Sequence, residues 1–466
     1  MAIDSSSSSN TPFFFFYEEF YGPMHLETLR SVSNVAVLLH GLGKFDEAEP
    51  MSIRSLRGYE EIFGMMHPDT LISVNNYASL LQDRCRYEEA GNLYQRALKS
   101  YEEIHGKNHS DTLLSAINLA SLFKEQCKYE AAEPLIRRAV NGYDELYGKK
   151  HSATLGAVGD LASILHDQGQ LDLAEPLYRR ALNGLEEVQG PNHQDTLGLC
   201  GNLAGLLEDL GKLDEAGLLY RRELIGREKI QGKSHPDTLL SVSENATLLQ
   251  AQGDLVQAEI LIRRAFNGFE DIYGPKHSLT LQTVSDLGSI LQDQQDHLNE
   301  VEPLYRRALN GFKELHGPKH TLTLGAVSDL AGLLQEQNKF DEAEPLFKHA
   351  LNGYEELLGP KHPDTLKSVT DLASLLKEQN KLNQAEALYR RALKGREEIY
   401  GSSHRDTLYT KGHLGHCLML QSNSSGNDMI VDAFHKLKEG PNGITSSHPW
   451  YKKFTKILKN DVRIEK

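Results

Sequence analysis

His67-Pro68-Asp69-Thr70-Leu71 returns unchanged at His235–Leu239 and at His362–Leu366. Looser copies place the same histidine at 25, 67, 109, 151, 193, 235, 277, 320, 362 and 404. Every step is 42 residues except the one from 277 to 320, which is 43. A fixed period of this length is the mark of stacked supersecondary units that share a continuous core. Such arrays hold other molecules along an extended face, so the period argues for binding before it argues for chemistry.

Within one period the apolar residues follow helical spacing. Leu366, Val369, Leu372, Ala373 and Leu376 recur at three and four. A polar turn follows (Gln379-Asn380-Lys381, or Gln168-Gly169 elsewhere), then a second helical run such as Ala174, Leu177, Tyr178, Ala181 and Leu182. A loop such as Gly359-Pro360-Lys361 closes the unit. Each unit therefore reads as helix, turn, helix, loop. The motif histidine is expected to cap the first helix, with Pro as its first residue and Asp at the positive end of the dipole. For the second helix, Asp341 with Glu344 reads as a capping box, with Pro345 in the first turn.

The charge balance is 50 basic against 65 acidic residues, a net −15. That disfavours nucleic acid and anionic membrane as partners. Four scattered cysteines (85, 127, 200, 417) make no Cys-x-x-Cys pair, which points to a reducing, cytoplasmic setting and away from a disulfide framework. No apolar run reaches spanning length. Phe13–Phe16 is too short for a signal core, and Met1–Pro12 lacks a basic start. The glycosylation-like triplets at Asn108, Asn245 and Asn423 are chance matches in that setting.

Small residues discriminate among repeat classes. Ala162, Ala174, Tyr178 and Ala181 follow the spacing Ala–12–Ala–4–aromatic–3–Ala, and Ala204, Ala216 and Tyr220 repeat it. This pattern, with recurrent Asn-Leu-Ala and Leu-Tyr-Arg-Arg-Ala-Leu phrases, resembles the tetratricopeptide repeat in the 42-residue form of kinesin light chains. The resemblance implies an all-α, right-handed superhelical solenoid of tandem helix-turn-helix repeats. Glu223 and Val301 depart from the pattern and are expected to loosen one packing contact each.

Three segments follow. Residues 1–24 form a low-complexity leader and the remnant of a preceding helix, since Tyr17–Gly22 matches Tyr354–Gly359. Residues 25–403 hold nine tandem repeats. Residues 404–466 hold a partial tenth repeat and capping segments: an amphipathic stretch at Met429–Lys438 and a basic one whose Trp450, Phe454, Ile457 and Leu458 could cover the last open face.

The resemblance also implies that first helices line a concave groove that takes extended peptides. Nine residues after each motif histidine stands a polar position: Asn34, Asn76, Asn118, Asp160, Asn202, Glu244, Asp286, Asp329, Asp371 and then His413. In kinesin light chains, asparagines at the matching position hold peptide backbone, a task an amide suits because it donates and accepts. Here the row turns from amide to carboxylate, which favours basic ligand segments. The basic groove residues that hold acidic ligands in that family are not evident. Three residues further on, Ser163, Gly205, Ser289, Gly332 and Ser374 leave room for a ligand backbone. The same row could instead only stack repeat on repeat.

The histidine ladder does not predict a metal site, because successive members lie a repeat apart and a site needs converging ligands. The pairs Arg137–Arg138, Arg179–Arg180, Arg306–Arg307 and Arg390–Arg391 each follow a Glu by four, the spacing of ion pairs on a solvated helix face. No phosphate-binding loop, nucleophile elbow or His-Glu-x-x-His occurs, so no cofactor and no catalysis are expected. The reading is a protein-binding scaffold. Its alternatives are a kinesin light chain-like cargo adaptor, weakened by the lack of heptads, and the sensor array of a larger signal-switching ATPase.

Overall fold

The computed structural model describes residues 17–294 and 298–439. Helices fill the described residues, with no strand among them. First helices run 16 or 17 residues (Pro68–Asp83, Pro236–Gln252) and second helices 19 (Tyr87–His105, Phe340–Leu358). No described helix is long and apolar enough to cross a membrane. The chain divides into two compact units, residues 1–157 and 158–466, with the division inside the helix Ser152–Asp167.

The five-residue phrase is a joint, and each position has a separate task. The histidine caps the first helix: His67 Nδ1 accepts from the Asp69 amide at 3.2 Å, and His362 does the same for Asp364. The threonine ties the helix to the preceding loop. Thr365 Oγ1 donates to the Gly359 carbonyl at 2.8 Å, and Gly359 has φ +89°, a left-handed conformation that favours glycine. The leucine is the anchor. Leu324 and Leu366 are fully buried beneath Gly353 and Gly395 of their own second helices. Where the residue four before the histidine is aromatic it stacks on it, as Phe63 does on His67 with centroids 4.3 Å apart; Gln189, Gln231 and Leu358 hold that position before His193, His235 and His362. Residues 17–21 are helical and Tyr21 stacks on His25.

Thr365→Val keeps the side-chain shape and removes the donor. Gly359 then retains only the long 3.4 Å bond from the His362 amide. The expected cost is about 1–2 kcal/mol, read as a lowered urea midpoint with unchanged slope.

The second helix starts earlier than the capping-box reading places it. Phe340–Leu358 begins at Phe340, its cap Lys339 makes no side-chain cap bond, and Pro345 lies inside the helix beyond the first turn. The reason is burial. The residue before the Asp is apolar and packs into the core (Leu171 4 % exposed, Leu213 6 %), so the helix extends back to bring it in. Glu344 instead bonds Lys348 and, in the next repeat, Lys381.

The small-residue code forms the core. Ala162, Ala174, Ala181, Ala204 and Ala216 are fully buried, and Tyr178 is 1 % exposed. Both departures are also enclosed: Val301 is fully buried and Glu223 is 2 % exposed. The four Glu–Arg pairs form at 2.7–2.8 Å. The second arginine does something the spacing did not suggest. Arg138, Arg307 and Arg391 reach back to Glu102, Glu270 and Glu355 of the preceding repeat. At the far end, the helix Ser425–Glu439 packs Ile430, Ala433 and Leu437 against Leu408. The proposed covering residues Trp450, Phe454, Ile457 and Leu458 lie outside the described residues.

Candidate peptide-binding groove

The polar row sits on the first helices, one residue per repeat. In the first unit Asn34 is exposed, while Asn76 and Asn118 are half-buried. Two apolar side chains stand open four residues before the latter two, Ile72 (53 % exposed) and Leu114 (52 %). Asn76 and the hydroxyls of Ser33, Ser52, Ser55 and Ser73 line a cavity of about 10 Å³, room for about one water and no ligand.

In the second unit the row is brought to a cavity of about 700 Å³. Asp329 and Asp371 line it, with His413 of the next repeat. Asp160, Asn202, Glu244 and Asp286 are not among its lining residues. Ser289, Gly332 and Ser374 supply the expected small wall. Sequence reasoning missed three sets of lining residues. Asp293, Glu336 and Glu378 stand sixteen residues after their motif histidine, at the end of each first helix. Lys367 and Lys377 also line the cavity, so basic groove residues are present after all. Tyr409 joins His413, their rings 4.3 Å apart edge to face. The signal was available: Lys367 and Tyr409 occupy the same position five after the histidine, which holds Ile72 and Leu114 in the first unit.

Row members also take part in stacking. Ser285 Oγ donates to Asp329 across a repeat boundary at 2.8 Å. Asp286 accepts from Gln282 on its own helix at 3.0 Å. Other inter-repeat ties run through the ends of the first helices: His40 to Asp83 at 2.6 Å, Gln250 to Asp293 at 2.7 Å, His166 to Asp209 at 2.9 Å. Burial pushes the Asp286 carboxyl up to about 6; Gln282 opposes this and the negative Asp329 adds to it. Burial also raises Asp329, against the hydroxyl of Ser285 and the charge of Lys367. Carboxylates in this state gain from any added cation.

Among the described residues, one group has metal-ligand spacing: ligand atoms of His105, His109 and Asp111 lie within 4.8 Å of one another. The two imidazoles stack at 4.3 Å and 23°, as Tyr147 stacks on His151 and Tyr273 on His277. His109 Nδ1 already accepts the capping bond from Asp111. Near-parallel rings send their lone pairs side by side and not to one point, so His105 stands in for the aromatic of the stack.

The tetratricopeptide repeat model matches residues 28–69, 69–145, 152–229, 237–314, 285–356 and 322–398. No curated protein matches the chain. Among solved structures, BtubC (BKLC) from P. vanneervenii is 19 % identical, with 51 % of this chain and 92 % of that one covered at a TM-score of 0.40. A putative kinesin light chain from Podosopora anserina, with nearly identical TPR-like repeats, is 20 % identical over 44 % and 97 % at 0.38. A Rap protein complexed with Competence and Sporulation Factor is 14 % identical over 76 % and 98 % at 0.47. The repeat joint, the buried alanine code and the family match over most of its length together show that this chain belongs to the tetratricopeptide-repeat family.

Proposed function

We propose that this chain is a non-catalytic scaffold that holds an extended, partly basic segment of a partner protein in the groove of its second unit. The carrying observation is the roughly 700 Å³ cavity in which Asp293, Asp329, Glu336, Asp371 and Glu378 outnumber Lys367 and Lys377. Five carboxylates against two ammonium groups leave a demand for about three positive charges, which Arg or Lys side chains of a ligand meet with charge-assisted bonds. The two lysines suit a ligand that also carries an acidic group, and Tyr409 with His413 offers an aromatic end wall. In the first unit, Asn34, Asn76 and Asn118 beside Ile72 and Leu114 suit peptide backbone with apolar side chains. Asp160, Asn202, Glu244 and Asp286 continue that row on the first helices between.

The test is an array of ten-residue peptides with and without Lys/Arg, probed with the intact chain and with Asp293→Asn/Asp329→Asn/Asp371→Asn. At about 1 kcal/mol per half-exposed pair, affinity for basic peptides should fall on the order of a hundredfold, while circular dichroism stays unchanged. Basic peptides bound equally by both proteins would refute the assignment.

A further inference from the structure

The start of the last repeat does not only stack on its neighbour. Arg405 Nη1 lies 2.7 Å from Asp209 Oδ1, whose other oxygen is 2.9 Å from His166 Nε2. Beside it, the His404 ring lies so close to Gly169 that a Cβ there would stand 2.5 Å from its Cδ2. Gly169 and His166 belong to the repeat that begins at His151, and Asp209 to the one that begins at His193. His404 comes five motif histidines after His193, so this is contact between distant parts of the second unit.

Three features set the contact apart. The residue after the motif histidine is Leu, Pro, Ser, Gln or Thr in the other nine copies and charged only at Arg405. The ion pair is half-buried, with 24 % and 34 % of the two side chains exposed. At the equivalent turn of another repeat, Gly253 has nothing within 4 Å of a Cβ, so the filled space at Gly169 is local to this contact. Glu208, next to Asp209, is held up at about 7 by burial and by that neighbouring charge, against the pull of Arg405. Without Arg405 only His166 would offset the charge of Asp209 beside Glu208.

We propose that His404 and Arg405 form an intramolecular clasp, docking the last repeat onto Gly169, His166 and Asp209 and closing the second unit on itself. The clasp helix Arg405–Leu420 also carries Tyr409, one turn beyond Arg405, in the end wall of the groove. Closing and opening the clasp therefore moves that wall. This last step rests on the peptide-groove reading; the clasp itself does not.

Amide hydrogen exchange on the full chain, without ligand, tests the clasp. Arg405→Glu places an acid in the first turn of a helix, where it is tolerated, yet opposes Asp209. Exchange should rise about tenfold in the distant segments 164–170 and 206–212, and Arg405→Glu/Asp209→Arg should restore it. Gly169→Asn is the second variant. Asn338 and Asn380 hold left-handed φ (59° and 61°) at the equivalent turns, so the turn survives while its side chain evicts His404. Segment 404–410 should then exchange faster. Unchanged exchange at 164–170 and 206–212 in Arg405→Glu, or failure of the charge swap to restore it, overturns the clasp.

Discussion

Glu223→Ala is expected to destabilise the second unit by about 3–5 kcal/mol, although alanine is what the repeat pattern calls for at that position. Glu223 is 2 % exposed and accepts from Arg227 Nε at 2.8 Å. Removing it leaves a mostly buried guanidinium with a longer contact to Asp237, 3.4 Å away, and the charge of the nearby Glu244 carboxyl. The remedy is written in the neighbouring repeats. Where this one has Glu223 and Arg227, others have Ala139 and Tyr143, Ala265 and Phe269, or Ala350 and Tyr354. Those tyrosines donate to the first helix: Tyr143 to the Ser110 carbonyl, Tyr354 to that of Thr321. Glu223→Ala/Arg227→Tyr should therefore recover the single-mutant loss and exceed wild type by about 1–4 kcal/mol. Gly201 faces Glu223, where a Cβ would meet its Oε2 at 2.6 Å, so Gly201→Ala should be tolerated better in the double mutant than in wild type.

The same pair gives a pH signature. Burial raises the Glu223 carboxyl above its ordinary 4.5, against the pull of Arg227. A raised acid binds its proton in the folded state at a pH where the unfolded chain has released it. Stability therefore falls as pH rises from 4.5 through the raised value, then levels off. Urea midpoints of the double mutant should be flatter than wild type across that window. A double mutant less stable than Glu223→Ala, or an unaltered pH profile, would sink this account.

Gly353→Val is expected to cost about 3 kcal/mol. A bare Cβ at 353 would stand 2.5 Å from Leu324 Cδ2, and Leu324 is fully buried, so valine there must displace a packed core side chain. The clash outweighs what a helix gains by losing a glycine, about 1 kcal/mol. The strain should be largely relieved by Leu324→Ala in the same chain, which opens space beneath the helix. Gly332, with nothing within 4 Å of a Cβ, is the control: Gly332→Ala should stabilise by up to ~1 kcal/mol. If Gly353→Val and Gly332→Ala behave alike by thermal denaturation, close glycine–leucine packing is not what holds the helix pair.

The period together with the small-residue code made the repeat class legible in the sequence, because each repeat solves the same local problem with the same residues. Capping by the motif histidine, the buried alanine code and the Glu–Arg pairs all act over a few residues, and spacing captures interactions of that range. The start of the second helix was misplaced because Phe340 and Leu171 are drawn into the helix by burial against the core, a tertiary effect that overrode a good capping signal. The polar row was legible as one residue per repeat, but membership of the cavity was not. Asp329 and Asp371 reach it and Asp286 does not, since that depends on how successive first helices rotate past one another. Lys367, Lys377 and Tyr409 line the cavity only because neighbouring helices enclose it. The contact of Arg405 with Asp209 joins residues five repeats apart. No local period encodes such a contact; it follows from the accumulated curvature of the whole second unit, which is a property of packing angles and not of spacing.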